Sequence, residues 1–142
     1  MGRKVQGGRA EVLFAAMRAT AAKAGDPEGA AAVRAAADRL ERVTAALTAP
    51  EAKAEALVNA HDYLTLFGHS VIAWQWLRTA NAATEALAAD ESAADSDARL
   101  FYEGKLATAT FFWRHELPKT EALENLLLSG DTSVRDMQPG WF

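Results

Sequence analysis

The chain has 142 residues, no cysteine and a net charge of −4. That length suits one domain with one core. The missing cysteine excludes disulfides, thiolate metal sites and cysteine nucleophiles, and fits a reducing cytoplasm. Fifteen basic and nineteen acidic residues intermingle, so the basic stripe of a nucleic-acid binder is absent and no nucleic-acid partner is expected.

The N-terminal MGRKVQGGRAE carries no apolar core of a secretory signal. Residues 2–8 read as irregular. A first helix is expected over 9–24, with Val12, Leu13, Ala16, Met17 and Ala24 at helical spacing and Gly25 as its stop. Asp26-Pro27-Glu28 supplies an N-cap, a first-turn proline and a first-turn acid. The second helix follows over 27–49, with Val33, Ala36, Leu40, Val43 and Leu47 on one stripe. Thr48-Ala49-Pro50-Glu51 has capping-box spacing and opens a third helix over 51–89. Its uncharged run, Tyr63 to Leu77, is too short for a membrane span and contains His69, Ser70 and Gln75. An acidic linker from Asp90 to Asp97 precedes a fourth helix over 98–128. Pro118 kinks or breaks that helix, and Ser129-Gly130 ends it. Residues 131–142 form a non-periodic tail. No stretch alternates as a strand does. The expected fold is all-α: one domain, an antiparallel four-helix bundle with a bent or broken last helix.

Two of these helices are apolar on more than one face. On the fourth, Leu100, Phe101, Gly104, Ala107, Thr108, Phe111 and Phe112 cover one side, while Tyr102, Leu106, Ala109, Trp113 and Leu117 cover roughly the opposite one. On the third, Leu57, Ala60, Leu64, Phe67, Val71 and Trp74 form one stripe, Val58, Thr65, Ile72 and Trp76 a second, and Leu66 and Leu77 point a third way. A helix apolar all round is surrounded by protein or lipid, and four helices cannot readily enclose two of their own number. Part of this surface is therefore expected to meet another chain or another part of a longer one. Trp74 and Phe111 are expected to be costly to truncate if fully buried. Gly68 and Gly104 lie mid-helix, where glycine is unfavourable. Close helix–helix approach is the first expectation, and a gap for a small ligand the second.

Chemistry finds little support. Glu103, in Phe101-Tyr102-Glu103-Gly104, sits on a narrow polar strip and reads as a solvated helix residue rather than a base. His61, His69 and His115 form neither Glu-x-x-His nor His-Glu-x-x-His patterns. No Gly-x-Ser-x-Gly elbow, phosphate loop or Gly-x-Gly-x-x-Gly is present. No catalytic, cofactor-binding or metal-binding residue is assigned.

Three stretches resemble the extra C-terminal helical domain of certain acyl-CoA dehydrogenases. They are Gly2-Arg3-Lys4-Val5 with Gly7-Gly8; Asp62-Tyr63-Leu64-x-Leu66-Phe67-Gly68 followed by Ala73-Trp74-x-x-Leu77; and Phe101-Tyr102-Glu103-Gly104-Lys105-Leu106-Ala107-Thr108-Ala109-x-Phe111-Phe112 with Leu117-Pro118. The terminal Phe142 fits as well. The resemblance implies a parent flavoprotein that oxidises an acyl-CoA to the 2-enoyl-CoA in fatty-acid metabolism, using FAD and a glutamate base. That base lies in a Tyr-Glu-Gly-Thr-type motif just before the Gly-Arg-Lys segment, so Tyr102-Glu103-Gly104 echoes it without sharing its role. The domain itself is expected to be structural: it would dock on the rest of a cytoplasmic subunit and shape its homo-oligomer. A free-standing interaction module or accessory subunit is the alternative. Trp74, Trp76, Leu77, Tyr102, Leu106, Trp113, Trp141 and Phe142 are the candidate docking residues, and the isolated chain is expected to self-associate.

Overall fold

The computed structural model describes residues 4–52, 57–91 and 95–142, with side chains from residue 8 onward. Among them the fold is all-helical, without strands. Helix α1 spans Lys4–Ala22, α2 Pro27–Thr48, α3 Ala60–Ala89, α4 Asp97–Phe111 and α5 Lys119–Ser129. A single turn, α6, covers Ser133–Asp136, and one 3₁₀ turn each covers Pro50–Ala52 and Pro139–Trp141. No helix among the described residues is long and apolar enough to cross a membrane.

Local signals set most boundaries. Asp26 is extended (φ −93°, ψ 110°) and its carboxylate accepts the N–H of Glu28 and of Gly29. The first turn of α2 is thus closed by its own cap. Ser96 caps α4 through the N–H of Arg99. Gly130 stops α5 with φ +69°, the left-handed conformation that glycine adopts freely. Two boundaries differ from expectation. Helix α1 begins at Lys4, so Gly7-Gly8 is helical rather than irregular. Helix α3 begins at Ala60. Pro50–Ala52 makes only a separate turn, and the rest of the expected 51–59 extension lies partly outside the described residues.

α3 is the hub. It packs against α1, α2, α4 and α5, and α2 packs against α1, α3 and α5. The core runs along α2 through Val33, Ala36, Ala37, Leu40 and Val43, as its stripe predicts. From α1 it takes Phe14, Met17 and Ala21, while Val12, expected inside, is 69% exposed. From α3 it takes Leu66, Ser70, Ala73, Leu77, Ala80 and Ala83. This is the third direction noted for Leu66 and Leu77, extended by small residues that carry little apolar signal. Leu57 and Leu64, on the first stripe noted for the third helix, are 80% and 67% exposed.

The last long helix breaks in a specific way. The Leu117 N–H donates to the Phe112 carbonyl, five residues back, at 2.9 Å. Phe112–Glu116 is one wide π turn. The widening makes room ahead of Pro118, whose ring would otherwise strike the preceding turn and which has no N–H to offer. It also re-aims the chain: Trp113 and Leu117 enter the core at 5% exposure, while Phe111 stays 52% exposed.

Candidate docking surface

Two kinds of contact fix the π turn and α5 on α2. The first is steric. A Cβ on Gly29 would lie 2.8 Å from Asp26 Oδ2, 3.0 Å from Leu77 Cδ1 and 3.1 Å from Trp113 Cε2. Only glycine leaves the indole of Trp113 this place between α2 and α3. The second is polar. Arg39 Nε and Arg42 Nε each reach Glu124 at 2.9 Å, and Arg39 Nη1 donates to Thr120 Oγ1 at 3.0 Å. Thr120 in turn donates to the Leu117 carbonyl at 2.6 Å. Desolvation would raise the Glu124 carboxyl, but the hydrogen bonds from Arg42 and Arg39 outweigh it and hold the carboxyl below its ordinary value. Arg114, in the π turn, forks onto Glu28 at 2.7 and 2.9 Å.

α1 is tied in comparable ways. Arg18 bridges to Asp38 and Glu41 of α2. Trp74 Nε1 donates to Thr20 Oγ1 at 2.8 Å, and Thr44 and Tyr63 share a hydroxyl–hydroxyl bond of 2.8 Å between α2 and α3.

α4 is different. Among the described residues it leans on α3 alone and has no extended contact with α1 or α2. Only Ala109 of α4 is buried. Tyr102 and Leu106 are half-buried on the inward side. Outward stand Leu100 at 53%, Phe101 at 58% and Phe111 at 52% exposure, with the small residues Gly104, Ala107 and Thr108 between them. The ring of His115 stacks on Phe111 at 4.7 Å, and Lys105 Nζ lies 4.9 Å from the centre of the Phe101 ring. Beside this face, Ile72, Gln75, Trp76, Thr79 and Lys105 line an α3–α4 groove of about 260 Å³.

The glycines reverse expectation. A Cβ on Gly68 or on Gly104 would meet nothing within 4 Å. Neither marks a close approach of helices; that role belongs to Gly29, which sequence reading passes over because it lies in the first turn of α2. The residues expected to dock separate into three groups. Leu77 and Trp113 are spent inside the fold, Leu77 being fully buried. Trp74, Trp76, Tyr102 and Leu106 are half-buried. Trp141 and Phe142 are 67% and 94% exposed. Phe101 and Phe111, which the sequence places on an apolar face but does not single out for docking, are among the most exposed aromatics.

Glu103 stands exposed on α4. His69 lies 3.1 Å through Nδ1 from the Thr65 carbonyl, with Nε2 3.9 Å from Glu116. His61 and His115 are exposed. Among the described residues no three metal-ligating side chains converge. The distinctive feature is the exposed apolar side of α4, with Leu100, Phe101 and Phe111 each more than half exposed.

No curated protein and no solved structure matches the chain. A family model described as "Acetyl-CoA dehydrogenase C-terminal like" matches residues 13–138, from the middle of α1 to beyond α6. With nearly its whole length matched, the chain belongs to the acetyl-CoA dehydrogenase C-terminal-like family.

Proposed function

We propose that this chain is the structural C-terminal domain of an FAD-dependent acyl-CoA dehydrogenase. Its task is to brace the catalytic part of the subunit and to shape oligomer contacts. The observation that carries the reading is the outward side of α4, where Leu100, Phe101 and Phe111 remain exposed on a helix supported by α3 alone. A domain evolved to stand by itself has reason to bury those rings or replace them; a domain that sits against protein keeps them.

The flavin is proposed to belong to the rest of the enzyme. The α3–α4 groove, about 260 Å³, is below the usual range of cofactor sites. The N-terminus of α2, the natural cradle for a pyrophosphate, is already filled by the Asp26 carboxylate. In this reading the domain supplies neither base nor hydride acceptor, and its helices form an antiparallel four-helix bundle in which α4 and α5 share the last place. A cytoplasmic location goes with the same proposal.

The test is the mass of the native polypeptide in its source cells, read with an antibody to this chain. The reading expects a band several times heavier than 15.2 kDa, coincident with flavin absorbance on native separation. A native polypeptide of 15.2 kDa with no flavoprotein partner overturns it.

A further inference from the structure

The groove between α3 and α4 combines an apolar wall with polar groups of one kind. Ile72 and Trp76 line it together with Gln75, Thr79 and Lys105, and among the described residues no acid does. Thr79 spends its hydroxyl proton on the Gln75 backbone carbonyl at 3.0 Å. The Gln75 side-chain oxygen accepts from Arg78 Nη1 at 3.1 Å. The groups left to meet a guest are donors: the Gln75 amide N–H groups and the Lys105 ammonium.

The cations set this groove apart from the rest of the chain. Acids outnumber bases nineteen to fifteen, and Arg18, Arg39, Arg42, Arg114 and Lys119 each hold a carboxylate. Among the described residues Lys105 and Arg78 hold none. Each lies over a ring instead: Lys105 Nζ is 4.9 Å from the centre of Phe101, and Arg78 Cζ is 5.5 Å from that of Trp74. A ring holds a cation in place without neutralising it. The groove therefore carries an uncompensated positive charge at Lys105 and a second one on the Arg78 that is bonded to its lining Gln75.

We propose that the α3–α4 groove binds a small aryl carboxylate, with its ring against Trp76 and Ile72 and its carboxylate on the Lys105 ammonium and the Gln75 amide. Charge selects the anion, since every free polar hydrogen at the groove is a donor and no acid competes. Volume selects a small guest: about 260 Å³ is below the range of sites for drug-sized ligands. The half-buried indole of Trp76 selects an aromatic body, because rings stack or meet edge to face. The inference goes beyond the structural reading above, which gives the domain no ligand of its own.

Titration of the isotope-labelled 142-residue chain with hydrocinnamate, followed by NMR, tests it. The expected result is saturable shifts centred on the Trp76 indole N–H, the Gln75 side-chain amide and the backbone beside them, with a dissociation constant of about 1 mM for so small a guest. The neutral hydrocinnamamide should bind about fivefold more weakly, the contribution of one exposed ion pair. Lys105→Met keeps the apolar stem and removes the charge; it should bring the acid down to the level of the amide, while Lys105→Arg retains the difference. Added salt should weaken the acid and leave the amide unchanged. A spectrum unchanged up to about tenfold above that concentration, shifts centred away from α3 and α4, equal affinities for acid and amide, or a Lys105→Met chain that binds the acid as its parent does overturns the proposal. So does a glutamate-bearing helical peptide that moves the same resonances at lower concentration than hydrocinnamate, because the groove is then a seat for protein. None of these outcomes bears on the native mass, which tests the wider reading by itself.

Discussion

α2 and α4 both lie against α3, with opposite outcomes. α2 buries seven residues, three of them alanine and one glycine. α4 carries two phenylalanines and a tyrosine and buries only Ala109. The difference is in neighbours rather than composition: α2 has α1, α3 and α5 around it, and α4 has α3. Apolar content therefore does not locate the core of this fold. Small residues with protein on three sides are worth more to stability than large rings with protein on one.

The sharpest way to break this comparison lies two residues apart. Trp113 is 5% exposed and Phe111 is 52% exposed. Trp113→Ala should cost about 3–5 kcal/mol of unfolding free energy, as truncation of a buried aromatic does. Phe111→Ala should cost the free chain about 0.5 kcal/mol, in the range of surface sites. Trp113→Phe, which keeps a ring and removes an indole N–H that has no partner among the described residues, should be milder than the alanine change. Urea unfolding of the dilute chain measures all three. Equal losses at 111 and 113 would mean that the π turn does not divide inside from outside.

Gly29 gives the next largest effect. Valine there would press on the Asp26 carboxylate, on Leu77 and on Trp113 together. It should cost about 2–3 kcal/mol through overpacking and disturbance of the cap. Thermal unfolding reads it, and a neutral Gly29→Val would show that Trp113 has another place to go.

The Arg39–Arg42–Glu124 cluster fastens α5 to α2, and it makes that contact acid-sensitive. The Glu124 carboxyl is lowered in the folded state. Its stabilisation is thus present above the unfolded value of about 4.3 and is lost as pH falls through the folded one. Glu124→Gln should cost about 2 kcal/mol at pH 7 and much less at pH 3, so the two proteins converge on acidification. Chemical unfolding at the two pH values measures this; a gap that stays constant with pH would mean that the charge on Glu124 contributes nothing.

How much of this was legible in the residues depends on whether the signal was local. The cap at Asp26, the core stripe of α2 and the stop at Gly130 each need only their own neighbours in sequence, and each stands as expected. The double apolar character of the last helix was legible too, and Leu100, Phe101 and Phe111 stay exposed on it. Its break was only half legible: Pro118 announces it, yet the π turn that turns Trp113 inward depends on the Gly29 cleft across the fold. The core line of α3 was hidden because Ser70, Ala73, Ala80 and Ala83 carry less apolar signal than the exposed Leu57 and Leu64. The glycines misled for a related reason, since a glycine's sequence context does not say whether anything faces it.

Gly68 supplies the finest probe of the comparison, because it asks whether the flank of α3 beside α4 is free. It lies mid-helix, and an added Cβ would meet nothing within 4 Å. Gly68→Ala should therefore stabilise the dilute chain by about 0.5–1 kcal/mol, the usual gain when a helix loses a glycine without acquiring a clash. That corresponds to a melting-temperature rise of about 3 °C for a domain of this size. The informative outcome is the opposite sign. A loss of stability would mean that something already lies against this stretch of α3, and a loss appearing only at high protein concentration would place a second copy there. A gain independent of concentration means that nothing lies against this flank of α3.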